Sequence, residues 1–211
     1  MTIFTPKLLL VGSINPVASV ETIEMEPMLH GASIAFALEK GGPLTTSILE
    51  QITCLAKPNK HYVIDTKSVM LMPGMFPAIP GWHCDGVVRQ HQFAQPDVLK
   101  MNSDVLHYTA IVSSHHEGVS NTEFMEETLD IPVDNQRVWG SISEWIELRP
   151  CRTRHIQDGE ILEFSQSSLH RAEKAYNRGW RYFFRMSEYH MPPLNKIRHQ
   201  VQVYTDVSAG W

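Results

Sequence analysis

From about His61 onward, β-branched and aromatic runs are separated by Gly, Pro, Asn and Asp, a pattern that predicts a succession of short strands. The predicted strands are Tyr62 to Met72, Gly81 to Val88, His107 to Ser113, Val138 to Ile146, Glu160 to Phe164 and Trp180 to Met186. Asp158-Gly159 supplies a turn just before one of them. The connections around Phe93 to Ser103 and Ser114 to Asn121 are polar and are expected at the mouth of the fold. Ahead of these strands the spacing becomes helical. One predicted helix begins at Pro27, carries Met28, Leu29, Ile34, Phe36 and Leu38, and stops at Gly41-Gly42. A second follows Pro43, places Leu44, Ile48, Ile52 and Leu55 on one stripe, and ends before Pro58. Such a pair braces one face of a sheet. The expected class is mostly β with flanking α, in a single domain over residues 1–211, helical at about 20–58 and β-rich at about 61–187.

Length and composition narrow the picture. A chain of 211 residues has room for one full hydrophobic core and no second catalytic domain. With 43% apolar residues, 19% charged residues and a net charge of −5, it offers no general basic field to nucleic acid. A local basic strip remains, because Arg171, Lys174, Arg178, Arg181 and Arg185 crowd one segment, so nucleic acid is not excluded. A small-molecule or peptide substrate is the stronger expectation. Cys54, Cys84 and Cys151 form an odd set without CxxC spacing, which suggests neither a disulfide framework nor a zinc knuckle. The run Leu8 to Val11 is too short for a signal core or a membrane span, so the expected setting is cytoplasmic.

Three residues bring chemistry into this framework. In Ile79-Pro80-Gly81-Trp82-His83-Cys84-Asp85-Gly86 an imidazole and a carboxylate stand two residues apart, on one face if the segment is a strand. His170, after a short strand, is the expected third ligand. Two imidazoles and a carboxylate occupy one face of an octahedral metal and leave the other open, as in non-haem iron(II) oxygenases. The same donors also bind zinc, so the residues alone leave the metal open.

Downstream, Gly179-Trp180-Arg181-Tyr182-Phe183-Phe184-Arg185 places Arg181 and Arg185 on one side of a strand, opposite Tyr182 and Phe184. Two arginines aimed inward are costly without anions to pair with.

Together, the WHxD stretch, the Asp-Gly turn and strand before Leu169-His170-Arg171, and GWRYFFR after it resemble the iron(II)/2-oxoglutarate dioxygenase superfamily. The likeness is to its taurine-dioxygenase-like and phytanoyl-CoA-hydroxylase-like branches and covers roughly residues 61–187. It implies a double-stranded β-helix, or jelly roll, with His83, Asp85 and His170 as iron ligands. It also implies 2-oxoglutarate and O2 as cosubstrates, with Arg181, eleven residues after His170, gripping the far carboxylate. Arg185 resembles a second arginine that serves the cosubstrate or an anionic substrate, and Arg178 is a weaker candidate in the turn. Thr122 resembles a threonine that helps hold the same carboxylate; the competing reading makes Asn121-Thr122 the cap of a helix starting at Glu123. The implied outcome is oxidation of the substrate, hydroxylation by default, coupled to decarboxylation of 2-oxoglutarate to succinate.

Other conspicuous residues carry weaker expectations. His115-His116 suit an exposed loop, Arg89 and His91 either the cavity or the surface, and Trp82, Phe76 and Met75 a lid or the core. His190 and Met191-Pro192-Pro193 fall at the exit of the last core strand, and alternation at Val201 and Val203 suggests an edge strand within Lys196 to Trp211. Two alternatives compete with the oxygenase. One is a cupin-like metal-dependent hydrolase or isomerase using the same ligands. The other is a non-catalytic β-sandwich binding module.

Overall fold

A computed structural model describes residues 1–91, 94–189 and 191–205; Gln92, Phe93, His190 and the stretch 206–211, which includes Trp211, lie outside the described residues. The chain begins with β1 (Thr2–Phe4) and β2 (Leu8–Ser13), then α1 (Val20–Met25), β3 (Met28–His30), α2 (Ile34–Lys40) and α3 (Pro43–Ile52). It continues through β4 (His61–Leu71), β5 (Leu106–Ser113), β6 (Thr122–Met125), β7 (Leu129–Ile131), α4 (Val138–Glu147) and β8 (Thr153–His155). Then come β9 (Glu160–Ser165), β10 (His170–Ala172), β11 (Gly179–Tyr189) and β12 (Lys196–Arg198). The class is mostly β with flanking α.

Two antiparallel sheets carry the site. The larger has the order β2-β9-β5-β11-β4 and the smaller β10-β6-β8. Ile111, Leu162 and Phe164 of the larger sheet meet Phe124 of the smaller, with the Phe124 and Phe164 rings 5.1 Å apart. On its outer face the larger sheet presents Tyr108, Ala110, Val112, Tyr182, Phe184 and Met186 to Ile23, Ile48, Leu49 and Ile52 of the early helices. Those apolar side chains keep water from the sheet's back. The helices therefore brace one face, as their stripe predicts. Among the described residues no helix is long and apolar enough to cross a membrane.

Three predicted elements need correction. The helix expected from Pro27 is split: Met28–His30 forms a strand, Gly31 breaks it at φ +57°, and α2 starts only after Ser33, whose Oγ accepts from the Phe36 amide. Val138 to Ile146 is helical, because Val138, Trp139, Ile142 and Ile146 bury one face at helical spacing, which outweighs their β-branched and aromatic character. Gly81 to Val88 is not a strand; Gly81 and Gly86 take positive φ, and a single bridge joins His83 to His170. The edge strand near the C-terminus is β12, which pairs with β3, and Val201 and Val203 lie beyond it. Thr122 opens a strand rather than capping a helix.

Candidate metal centre

Although irregular, the loop carrying His83 and Asp85 is pinned at both ends. The Trp82 amide donates to Ser143 Oγ on α4 at 2.8 Å, and Gln166 Nε2 donates to the Gly86 carbonyl at 2.7 Å. Gly86 itself has φ +68°, and a Cβ there would meet the His107 ring at 3.2 Å, so glycine is required at this close approach. Between the pins, His83 and His170 exchange two backbone hydrogen bonds of 2.9 and 3.0 Å, which brings the two rings to 4.6 Å. The His170 ring is further held by Phe124 and Phe164, at 5.1 and 5.2 Å.

One ligand atom from each of His83, Asp85 and His170 lies within 4.8 Å of the others. Each imidazole has its tautomer set from outside. His83 Nδ1 donates to the Gly81 carbonyl at 3.0 Å and His170 Nδ1 to the Ser168 carbonyl at 3.1 Å, because a carbonyl can only accept. In that tautomer each ring carries its lone pair on Nε2, the arrangement that metal ligation needs. Burial, with His170 alongside, pulls the His83 pKa down to about 4, so the ring is neutral at pH 7. Burial alone would push the Asp85 carboxyl up, but Arg185 and His170 outweigh it and hold it well below the usual carboxylate range. The set is therefore a neutral His83 imidazole, the His170 imidazole and a carboxylate.

Arg181 and Arg185 project from β11 toward the same region, yet their situations differ. Arg185 bonds Asp85 Oδ1 at 2.6 Å and Asp65 Oδ2 at 3.2 Å, so its charge is matched by carboxylates. Asp65 is its registered partner on β4. Arg181 is 2% exposed and donates from Nε to the Ser120 carbonyl and from Nη2 to Thr122 Oγ1, both at 3.1 Å. No carboxylate pairs with it among the described residues; Asp158 acts only at longer range. Burial pulls its pKa down to about 10, which still leaves it charged at neutral pH.

Two cavities meet at the triad. An inner chamber of about 170 Å³ is lined by His83, Asp85, His170, Thr122, Arg181 and Arg185, among others. An outer cleft of about 810 Å³ shares His83, Asp85 and Arg185 and opens toward Trp139, Val201 and Tyr204. Its size falls in the range of roughly 300–1,000 Å³ common for ligand pockets.

The other sequence candidates disperse. His115 and His116 stack on each other in a loop, with His116 exposed. Arg89 lines the outer cleft while His91 is exposed, and Trp82 is buried against Arg171. The basic segment does not form a strip, since Arg171 pairs with Glu123 and Glu147 while Arg181 is buried. Sequence reasoning missed His107, Asp65, Lys67 and Arg198. Burial lowers His107 to about 4 beside the Asp85 loop, and the other three line the inner chamber. A second donor group, Glu123, His155 and Glu173, lies on the opposite face of β6 and touches neither cavity.

No protein-family model matches the sequence, and no curated protein does. Among solved structures the chain is similar to an N-substituted L-amino acid dioxygenase from Burkholderia ambifaria AMMD, over 81% of this chain and 72% of that one. The identity is 11% and the TM-score 0.41, a likeness too distant to bear on the site.

Proposed function

We propose that this protein is an iron(II)- and 2-oxoglutarate-dependent dioxygenase built on a jelly-roll core, with His83, Asp85 and His170 as the metal ligands. The domain reading that goes with it is a single oxygenase domain, its core at about 61–187. The observation that carries the proposal is the inner chamber. One small space holds three convergent metal-type donors together with a buried guanidinium that has no carboxylate in direct contact among the described residues. A buried cation of that kind calls for an anion from outside.

When bound, iron(II) with 2-oxoglutarate supplies the oxygen activation that attacks an unreactive C–H bond. The chain's own residues supply placement. His83 and His170 present Nε2, their other nitrogens fixed on backbone carbonyls. Asp85 has one oxygen held by Arg185 and the other turned toward His170 Nε2, 3.4 Å away. Arg181 offers its remaining N–H donors to the far carboxylate of 2-oxoglutarate. Thr122 accepts from Arg181 and so keeps its own hydroxyl proton for the same carboxylate. Phe124 and Phe164 beside His170 exclude water from that side.

The test is oxygen-dependent conversion of 2-oxoglutarate to succinate by the iron-loaded protein, with Asp85→Ala as control. Succinate formed by the native protein and not by the variant supports the proposal. No succinate from folded native protein, across a panel of candidate substrates, transfers the site to a hydrolase using the same ligands.

A further inference from the structure

The charges lining the two cavities do not balance. Among the described residues, five cationic side chains, Lys67, Arg89, Arg181, Arg185 and Arg198, stand around the inner chamber and outer cleft against two carboxylates, Asp65 and Asp85. The surplus is three, in a chain whose net charge is −5. A divalent ion and a dianionic cosubstrate cancel each other, so the surplus survives loading of the site. A cleft lined by one sign of charge concentrates ligands of the other sign.

Lys67 carries one uncompensated charge of this surplus. Its ammonium donates to the carbonyls of Pro77 and of Gln202, the latter at 2.8 Å, and pairs with no carboxylate among the described residues. An ammonium has three donors, so one remains for a ligand. Burial, with Arg181 and Arg198 nearby, lowers its pKa to about 8. Arg198 lines both cavities with it and touches Asp65 only at 3.4 Å, an oxygen that also receives His30 and the Gly31 amide. Between these cations the outer cleft also has apolar wall positions, Ala78, Ile79, Val87, Trp139 and Val201.

We infer that the substrate carries an anionic head group, a carboxylate or a phosphate, on an apolar body, and that Lys67 and Arg198 bind the head. This rests on the oxygenase reading for what happens to the body, while the anion site itself does not require iron. The C-terminal segment acts as the outer wall: β12 brings Arg198, the Gln202 carbonyl orients Lys67, and a bridge between Phe76 and Tyr204 fastens the wall to the body. Arg185 is left out of this role because Asp85 and Asp65 already match it.

The experiment is calorimetric titration of the protein with phenylacetate, phenyl phosphate and the neutral phenylacetamide, with and without iron(II) and 2-oxoglutarate under anaerobic conditions. The expected result is that an anionic probe binds roughly tenfold or more tighter than the amide, the size of a partly buried charge contact. Lys67→Met removes that preference, and Lys67→Arg, which keeps the charge, retains at least part of it. Tighter binding of phenylacetate than phenyl phosphate assigns a carboxylate head, and the reverse order a phosphate. Equal or absent binding of all three probes, or an unchanged preference in folded Lys67→Met, overturns the inference. Discrimination through Lys67 in a protein that makes no succinate would sink the oxygenase reading and keep the anion site. Succinate formation without discrimination would do the opposite.

Discussion

Replacing Arg181 by methionine keeps most of the side chain's apolar stem and deletes its guanidinium. In the protein without ligand, that group is 2% exposed and held by a carbonyl and a hydroxyl rather than a carboxylate. Its removal loses two hydrogen bonds from a charged donor, at roughly 1.5–3 kcal/mol each. It also relieves a desolvation penalty of several kcal/mol for a buried ion. The two nearly offset, so Arg181→Met should unfold within about 2 kcal/mol of the native protein. Ligand binding behaves differently. Deleting one partner of a buried charge pair costs about 2–5 kcal/mol, which is roughly 30- to 5,000-fold in the dissociation constant of 2-oxoglutarate. The assay is urea unfolding of both proteins with cobalt(II), with and without 2-oxoglutarate. At a concentration of about 100 times the native dissociation constant, the ligand should stabilise the native protein by about 2.7 kcal/mol and the variant by about 0.9 kcal/mol or less. A ligand-free variant destabilised by more than about 4 kcal/mol would make Arg181 a structural residue. Equal stabilisation of both proteins by 2-oxoglutarate would remove it from the cosubstrate site.

Three further outcomes follow from the same structure. Arg185→Met frees Asp85 Oδ1, so metal affinity measured by competition with a chelator should fall about 10- to 100-fold while the fold persists; unchanged affinity would contradict the positioning role. Ile142→Ala, at a fully buried position of α4, should cost about 2–5 kcal/mol in denaturant unfolding, and a loss near zero would mean that α4 does not bury that face. Burial raises the Glu26 pKa above 4.5 despite hydrogen bonds from Leu44, Thr45 and Gly42. Its contribution to stability is therefore full below pH 4.5 and is lost as pH rises through the raised value. Glu26→Gln should flatten that part of the stability profile above pH 4.5, and an identical profile in variant and native protein would refute the assignment.

Much of the candidate site was legible from residue type and spacing, and the sheet that supports it from alternation. Along β5 and β11 apolar side chains face the helices at every second residue, which is why their ranges agree with expectation. His83 and Asp85 were read as sharing the face of a strand. They share a target for another reason, namely a glycine-bounded loop stapled by α4 and Gln166. That staple depends on contacts distant in sequence, which no local pattern carries. Val138 to Ile146 misled because its residue types favour strands while its spacing is helical, and tertiary packing decided for spacing. The short strands β1, β7, β8, β10 and β12 have three residues each, too few to display a period. Asp65 and Lys67 did leave a signal: two charged residues two apart in one strand, on the same side as Arg181 and Arg185 once β4 and β11 are in register.

Anaerobic titration of the iron(II)-loaded protein with 2-oxoglutarate, read by visible absorption, reports most directly on whether donors and guanidinium share one chamber. The account predicts a metal-to-ligand charge-transfer band that saturates at one cosubstrate per chain and is lost in Asp85→Ala. A native protein that remains folded and binds iron yet develops no band would contradict it.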